Sequence, residues 1–289
     1  MADKPEASDL NMSGKAVPNL FDLTGRVAII TGGAGLLGRK HAEVIASFGG
    51  RPVLVDLPAA EPETKAKQLA DQVGVEAMGC RVDITRPEQV RELLDTVMAR
   101  LGRVDILINN AANNPKVESP AGLARSRLEN FPLVMWDADL AVGLTGAFLC
   151  SQVFGTEMAR CKRGVIVNVA SDLAVIAPDQ RLYRQPNLPD DQQPVKPVTY
   201  SVVKSGLIGL TRYLATYWAD CGVRVNAISP GGVYNQQPDE FVQRLSKLIP
   251  LGRMAKLDEY QGAILFLSSD ASSYMTGNNL IIDGGRSCW

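Results

Sequence analysis

A chain of 289 residues, 46% of them hydrophobic, can bury one large α/β core, and a net charge of −1 gives no excess that would draw it to nucleic acid or a membrane surface. No uninterrupted apolar stretch reaches the length of a membrane span, and the polar residues 1–20 carry no secretory signal and read as a flexible tail before a domain over 21–289. Five cysteines without a Cys-x-x-Cys pair fit reduced thiols in a cytoplasm, and a single histidine, His41, argues against Ser-His-Asp catalysis and His-based metal sites, so no metal is expected.

Short β-branched runs predict strands at Val27–Thr31, Pro52–Asp56, Glu76–Val82, Val104–Asn109, Gly164–Ala170, Val223–Ile228 and Leu280–Asp283. Helical patterns fall between them, near 37–48, 62–73, 87–100, 137–160, 198–220 and 256–268. Continuously apolar strands alternating with helices predict one Rossmann-type, doubly wound parallel sheet of seven strands flanked by helices, in a single domain. The compositional break at 177–197, rich in Pro, Gln, Asp and Arg, reads as an inserted loop.

The first strand runs into Thr31-Gly32-Gly33-Ala34-Gly35-Leu36-Leu37-Gly38, where Gly33, Gly35 and Gly38 satisfy G-x-G-x-x-G between a strand and a helix. Glycines there let the backbone approach a pyrophosphate at the helix N-terminus. Asp56, at the end of the second strand, stands where a carboxylate accepts from ribose hydroxyls and repels a 2′-phosphate, which favours NAD over NADP. Arg39 and Lys40 weaken that preference if they face the ribose. Asp83, before Ile84, ends the third strand near the expected adenine.

Tyr200 and Lys204, four residues apart, share a face at the start of a helix. An ammonium and a nicotinamide ring beside the phenol would lower its pKa from near 10 and make it a usable acid/base. Ser171, at the carboxyl end of the fifth strand, lies on the edge where such sheets bind ligands and is placed to hydrogen-bond a carbonyl or hydroxyl.

Thr31–Gly38, Asp56, Asp83, Asn109-Asn110-Ala111-Ala112, Ser171, Tyr200–Lys204, Asn226, Pro230-Gly231 and the closing Asp283-Gly284-Gly285 together resemble the short-chain dehydrogenase/reductase family, from about Leu20 to the C-terminus. The resemblance implies an alcohol/ketone oxidoreductase with NAD, working as a homotetramer or homodimer on a small molecule. It assigns Ser171 to substrate positioning, Tyr200 to acid/base chemistry and Lys204 to the nicotinamide ribose and to tuning Tyr200. Gly32, Gly35, Leu36, Leu37, Asp56, Asp83, Ile84, Asn110, Ala111, Ala112, Pro230, Gly231 and Val233 would contact the dinucleotide. The alternative reading of the loop, T-G-x-x-G-x-x-G through Gly32, Gly35 and Gly38, resembles the sugar-nucleotide epimerase and dehydratase branch, with NAD recycled. A non-catalytic NAD-binding protein is the other alternative. Gly143 occupies the slot where the family commonly carries an active-site asparagine, so the proton path beyond Lys204 must use backbone, water or another residue.

Residues 171–289, particularly SDLAVIAPDQRLYRQ and DGGRSCW, resemble a subgroup found in flagellin-glycan and nonulosonic (legionaminic-type) acid pathways. The amides, carboxylates and arginines of 177–197 suit a sugar, amino sugar, polyol or sugar phosphate, with Arg181 and Arg184 as candidate anion ligands and Trp289 as a substrate or interface residue.

Overall fold

In the computed structural model the described residues are 17–113 and 126–289; most of the expected tail lies outside them, and Val17–Leu20 forms a helical turn. Seven parallel strands, β1 Val27–Thr31, β2 Arg51–Asp56, β3 Met78–Arg81, β4 Ile106–Asn109, β5 Gly164–Val169, β6 Val223–Pro230 and β7 Asn279–Ile282, lie in the order β3-β2-β1-β4-β5-β6-β7. This is the predicted seven-stranded Rossmann-type sheet in one domain. The flanking helices are α1 Leu36–Ser47, α2 Pro62–Val73, α3 Pro87–Leu101, α4 Leu133–Arg160, α5 Val198–Tyr217, α6 Asp239–Ser246 and α7 Gln261–Ser268.

The strands read as uniformly apolar because both of their faces are covered, and successive side chains divide between two cores. Val27, Ile29, Val53, Val55, Leu107 and Ile166 face α3, α4 and α5, where Leu93, Phe154 and Trp218 meet them. Ala28, Ile30, Leu54, Ile106, Ile108 and Val167 face α1, α2 and α7, against Ile45, Leu69 and Ile264. Burying one such aliphatic side chain contributes roughly 1.5–3 kcal/mol.

Polar residues lock the strand ends below the carboxyl edge. Asn109 Nδ2 donates to Asn168 Oδ1 at 2.8 Å and to Ser151 Oγ at 3.0 Å, and Asn168 Nδ2 donates to Thr211 Oγ1 at 2.8 Å. The network joins β4 and β5 to α4 and α5, the elements that carry the candidate chemistry.

Three local features differ from the sequence reading. The helix expected over 137–160 starts at Leu133 and carries a π-helical segment, Ala141–Thr145. By length and composition this helix could cross a membrane; its Cys150, Phe154 and Met158 are fully buried against the sheet. The helix expected over 256–268 starts only at Gln261, and α6 was not expected at all. Only eight residues long and mostly polar, α6 is too short for its periodicity to stand out, and it buries Leu245 alone among its residues.

Candidate active site

The turn after β1 is built for close approach. Gly32 has φ +61, and a Cβ there would lie 3.0 Å from Ala111 Cα and from Asn110 Nδ2. Gly35 N donates to Gly32 O at 3.1 Å, and α1 begins at Leu36 with no side chain capping it. Its first amides therefore face outward, with the positive end of the helix dipole behind them, and Leu36 is exposed. Asn110 Nδ2 donates to Thr31 O at 2.9 Å and Gly32 O at 3.2 Å, while Ala111 N donates to Thr31 Oγ1 at 3.1 Å, so the end of β4 braces the turn.

Asp56 ends β2 with Oδ2 accepting from Ala34 N at 3.1 Å and Oδ1 accepting from Leu57 N at 2.9 Å. Arg39 is exposed and Lys40 pairs with Glu43 at 2.6 Å. Asp83 Oδ1 accepts from Thr85 N and Oγ1 at 2.9 and 2.7 Å, which makes it a cap for the turn before α3. Ile84 is buried beneath Gly146, where an added Cβ would meet its Cδ1 at 2.8 Å. On the far side, Gly231 leaves β6 packed on Asp283, its carbonyl accepting from Tyr260 Oη at 3.0 Å, and Val233 bridges to Ala255. An uncapped helix N-terminus, a glycine cradle and a strand-end carboxylate form a donor and acceptor set that fits a dinucleotide.

Ser171, Tyr200 and Lys204 come together at the carboxyl ends of β5 and β6. Ser171 neighbours the Tyr200 phenol closely enough to act on its ionisation, and its hydroxyl donates to Asp172 Oδ1 at 2.9 Å. Lys204 Nζ donates to Val169 O at 2.7 Å and lies 6.0 Å from the centre of the Tyr200 ring. Lys196 Nζ is closer, 3.7 Å above that ring. The expected lowering of the phenol pKa is not what the protein groups alone produce. Burial pushes Tyr200 up and the Asp172 charge adds to this, while the Ser171 hydrogen bond opposes it. Burial also lowers Lys204 to about 8, with Lys196 adding repulsion, and lowers Lys196 to about 8 against the pull of Asp172.

Gly143 is buried inside the π-helical segment of α4, and a Cβ there would stand 2.5 Å from Val203 Cγ1. Val203 thus fills the room that an asparagine side chain would need. Asp139, Asn113 and Thr199 line the same cavity as Gly143, Tyr200 and Lys204, and Thr199 Oγ1 donates to Asp139 Oδ2 at 2.5 Å. Gly143→Asn is expected to lower Tm by several degrees, since overpacking costs about 1–3 kcal/mol, and Val203→Ala in the same chain to recover most of it. An asparagine tolerated with no loss of Tm would show that Val203 yields freely.

The inserted loop is ordered by two 3₁₀ turns, Gln180–Tyr183 and Asp190–Gln192. Gln193 closes it, accepting from Gln185 N at 2.8 Å and donating to Gln185 O at 2.9 Å and Leu188 O at 2.6 Å. Leu182 and Tyr183 pack on Leu245, Ile249, Met254 and Phe241, so α6 is the platform that holds the loop. The two candidate anion ligands are not brought to Tyr200. Arg181 is highly exposed and pairs with Asp179 at 2.8 Å, and Arg184 pairs with Asp190. Nearby carboxylates of opposite charge satisfy both guanidinium groups before they can turn inward. Trp289 is also exposed, its Nε1 donating to Leu248 O at 3.3 Å. His41 is fully buried and held neutral, its pKa lowered to about 4 because burial outweighs the Asn110 side chain. Burial pushes the Cys150 thiol up to about 12 and Cys80 up to about 11, so neither is a thiolate at neutral pH.

Asn113, Asp139 and Thr199 escaped the motif reading, as did two charged residues at the site. Asp172 directly follows Ser171, and Arg286 follows the Gly284-Gly285 pair; both are buried and they pair at 2.7 Å. An acid next to the site serine was a visible signal for the first. Arg286 had none, because its partner lies 114 residues away.

Comparison with known proteins resolves the family. Residues 26–183, more than half of the chain, match the family model described as short chain dehydrogenase. The chain belongs to the short-chain dehydrogenase/reductase family. Residues 192–287 of this short-chain dehydrogenase/reductase also match the model described as enoyl-(acyl carrier protein) reductase. It is 37% identical over 271 residues to the D-threitol dehydrogenase of Mycolicibacterium smegmatis, covering 92% of this chain and 94% of that one. It is 32% identical over 281 residues to the NAD-dependent glycerol dehydrogenase of Listeria innocua, covering 95% and 98%. Among solved structures, a gluconate 5-dehydrogenase from Burkholderia cenocepacia in complex with NADP and tartrate superposes with a TM-score of 0.82 at 28% identity, covering 95% of this chain and all of that one. The protein is a sugar- or polyol-dehydrogenase-like oxidoreductase of this family, with a nicotinamide cofactor and a small-molecule substrate.

Proposed function

We propose that this chain oxidises a secondary hydroxyl of a small, neutral polyol or sugar to the ketone, with NAD as the preferred acceptor. The observation that carries the reading is the convergence of Ser171, Tyr200 and Lys204 at the sheet edge that also presents the glycine turn and Asp56. A bound nicotinamide supplies the hydride acceptor. Ser171 holds the substrate oxygen, and Tyr200, as phenolate, takes the hydroxyl proton. Lys204, anchored by Val169 O, stabilises that phenolate and binds the nicotinamide ribose.

Neutral substrates are favoured because Arg181, Arg184 and Arg286 are each held by a carboxylate, so none of them offers an open fork to a phosphate. The names of the relatives also weigh toward polyols and away from the flagellin-glycan subgroup that the C-terminal stretch resembles. NAD preference rests on Asp56, since a carboxylate at the ribose repels a 2′-phosphate by about 1–3 kcal/mol, roughly 5- to 150-fold in binding.

The test is continuous dinucleotide reduction over tetritols, glycerol, longer polyols, free sugars and their phosphate esters, with NAD and with NADP. Net NADH formation on neutral polyols or sugars is expected, which a cofactor-recycling epimerase would not give. Turnover confined to phosphate esters would overturn the neutral-substrate reading. Asp56→Ser should reduce the NAD-over-NADP ratio in kcat/KM by at least tenfold; an unchanged ratio would remove Asp56 from cofactor choice.

A further inference from the structure

Asp172 is an unusual neighbour for a group that must become an anion. It is 3% exposed and its Oδ1 accepts from the Ser171 hydroxyl at 2.9 Å and from Leu173 N at 2.9 Å. Its other oxygen accepts from Arg286 Nη1 at 2.7 Å, and Arg286 is 8% exposed. Arg286 arrives from beyond β7 through a tight reversal. Gly284 and Gly285 both have left-handed φ, +68 and +90, and Asp283 accepts from Gly285 N at 2.9 Å and Ser287 N at 2.7 Å. The C-terminal segment is therefore wound back so that its one inward side chain meets the carboxylate beside the site serine.

A buried ion pair is a poor device for stability alone, because desolvation offsets most of the attraction. Its location suggests a different use. An unpaired carboxylate next to Tyr200 would repel the phenolate, while a paired one can still accept from Ser171 and fix that hydroxyl. We propose that Arg286 is a positioning residue for the Ser171–Tyr200 pair: it offsets part of the Asp172 charge beside the phenol, so that the Tyr200 phenolate forms more readily than it would beside a bare carboxylate, while Asp172 orients Ser171. The inference rests on the reading of Tyr200 as the acid/base. The charged and titratable groups around the phenol are Asp172 from the segment after β5, Lys204 from α5, Lys196 and Tyr183 from the inserted loop and Asp139 from α4, while Arg286, from the C-terminal turn, pairs with Asp172 and acts on Tyr183. Both lysines stay in place when Arg286 is removed, so what changes at the phenol is the Asp172 charge left without its partner.

The experiment compares pH profiles of kcat/KM for polyol oxidation in the full-length chain and in three variants, Arg286→Met, Asp172→Asn and the double variant. Arg286→Met should move the rising limb to higher pH by about one unit or more, because it exposes the phenolate to an uncompensated like charge. Asp172→Asn should move it to lower pH, since the arginine charge then acts alone. The double variant should lie within a few tenths of a unit of the parent. Ultraviolet tyrosinate titration of the cofactor-free proteins, each against its own Tyr200→Phe counterpart, should show the same order of phenol pKa values without any turnover. Limbs that move in the same direction, or rates that fall with the profile unmoved, would reduce the pair to a structural staple and overturn the proposal. Should Arg286→Met fail to fold, the acid shift of Asp172→Asn and the matching tyrosinate titration still decide it. A parent enzyme whose turnover survives Tyr200→Phe would sink the underlying catalytic reading instead, a result distinguishable from either.

Discussion

Tyr200→Phe should lower kcat for polyol oxidation by about 10²- to 10⁴-fold while leaving dinucleotide binding within a few-fold of the parent. The range is that of a positioned general base or acid, about 3–5 kcal/mol of barrier. Removing one hydroxyl leaves the ring, and with it the stacking of Lys196 Nζ at 3.7 Å, so the fold around the site is retained. The direction with pH follows from burial. The phenol of Tyr200 is pushed above its ordinary value, so the phenolate fraction in the free protein is small at neutral pH and grows as pH rises. Oxidation by the parent should therefore accelerate with pH until the phenol is fully ionised, and the reverse reduction should slow over the same interval. Steady-state kinetics in both directions check this. A Phe variant that retains the parent's pH dependence would show that another group carries the proton.

Gly38→Ala is expected to weaken NADH binding by tenfold or more and to lower Tm by several degrees. A Cβ at Gly38 would run into the Gly32 carbonyl oxygen and come 2.8 Å from Gly33 Cα. Both are backbone atoms of the turn, and neither can rotate away as a side-chain end could. Alanine is a better helix residue than glycine by about 1 kcal/mol, which opposes the loss. Overpacking costs about 1–3 kcal/mol and more where backbone must move, so the steric term wins. In the proposed function the displaced turn also holds the dinucleotide, so binding should suffer more than stability; 1.4 kcal/mol corresponds to tenfold in Kd. Fluorescence titration with NADH and a thermal melt measure the two effects. Parent-like Kd and Tm together would mean that α1 can slide outward at Gly38 at little cost.

Much of the fold was legible because it depends on local and periodic features. The strand β1, the helix α2 and the alternation of strand and helix follow from runs of apolar residues whose two faces must both be covered. Glycine spacing after β1 and a carboxylate ending β2 carried the cofactor reading for the same reason: backbone approach and charge at a strand end are encoded residue by residue. Ser171, Tyr200 and Lys204 were nameable from motif order, and the structure gathers them at one edge.

Other features were decided by contacts between segments far apart in the chain. The insertion read as a source of anion-binding arginines, but Asp179 and Asp190 fold back on Arg181 and Arg184, and α6 fixes the loop through Leu182. Composition lists charges without saying which are already paired. Gly143 was visible as a missing asparagine; that Val203 occupies the vacated space depends on how α4 packs against α5. The site pair Asp172–Arg286 joins residues 114 positions apart. Thus the sequence by itself determined the sheet and the glycine turn, which rest on periodicity and short spacing, and named the serine, tyrosine and lysine at the carboxyl edge through motifs that resemble the family's. The electrostatic setting of Tyr200 was left to the tertiary structure, because burial and the charges around a phenol are properties of what folds against it.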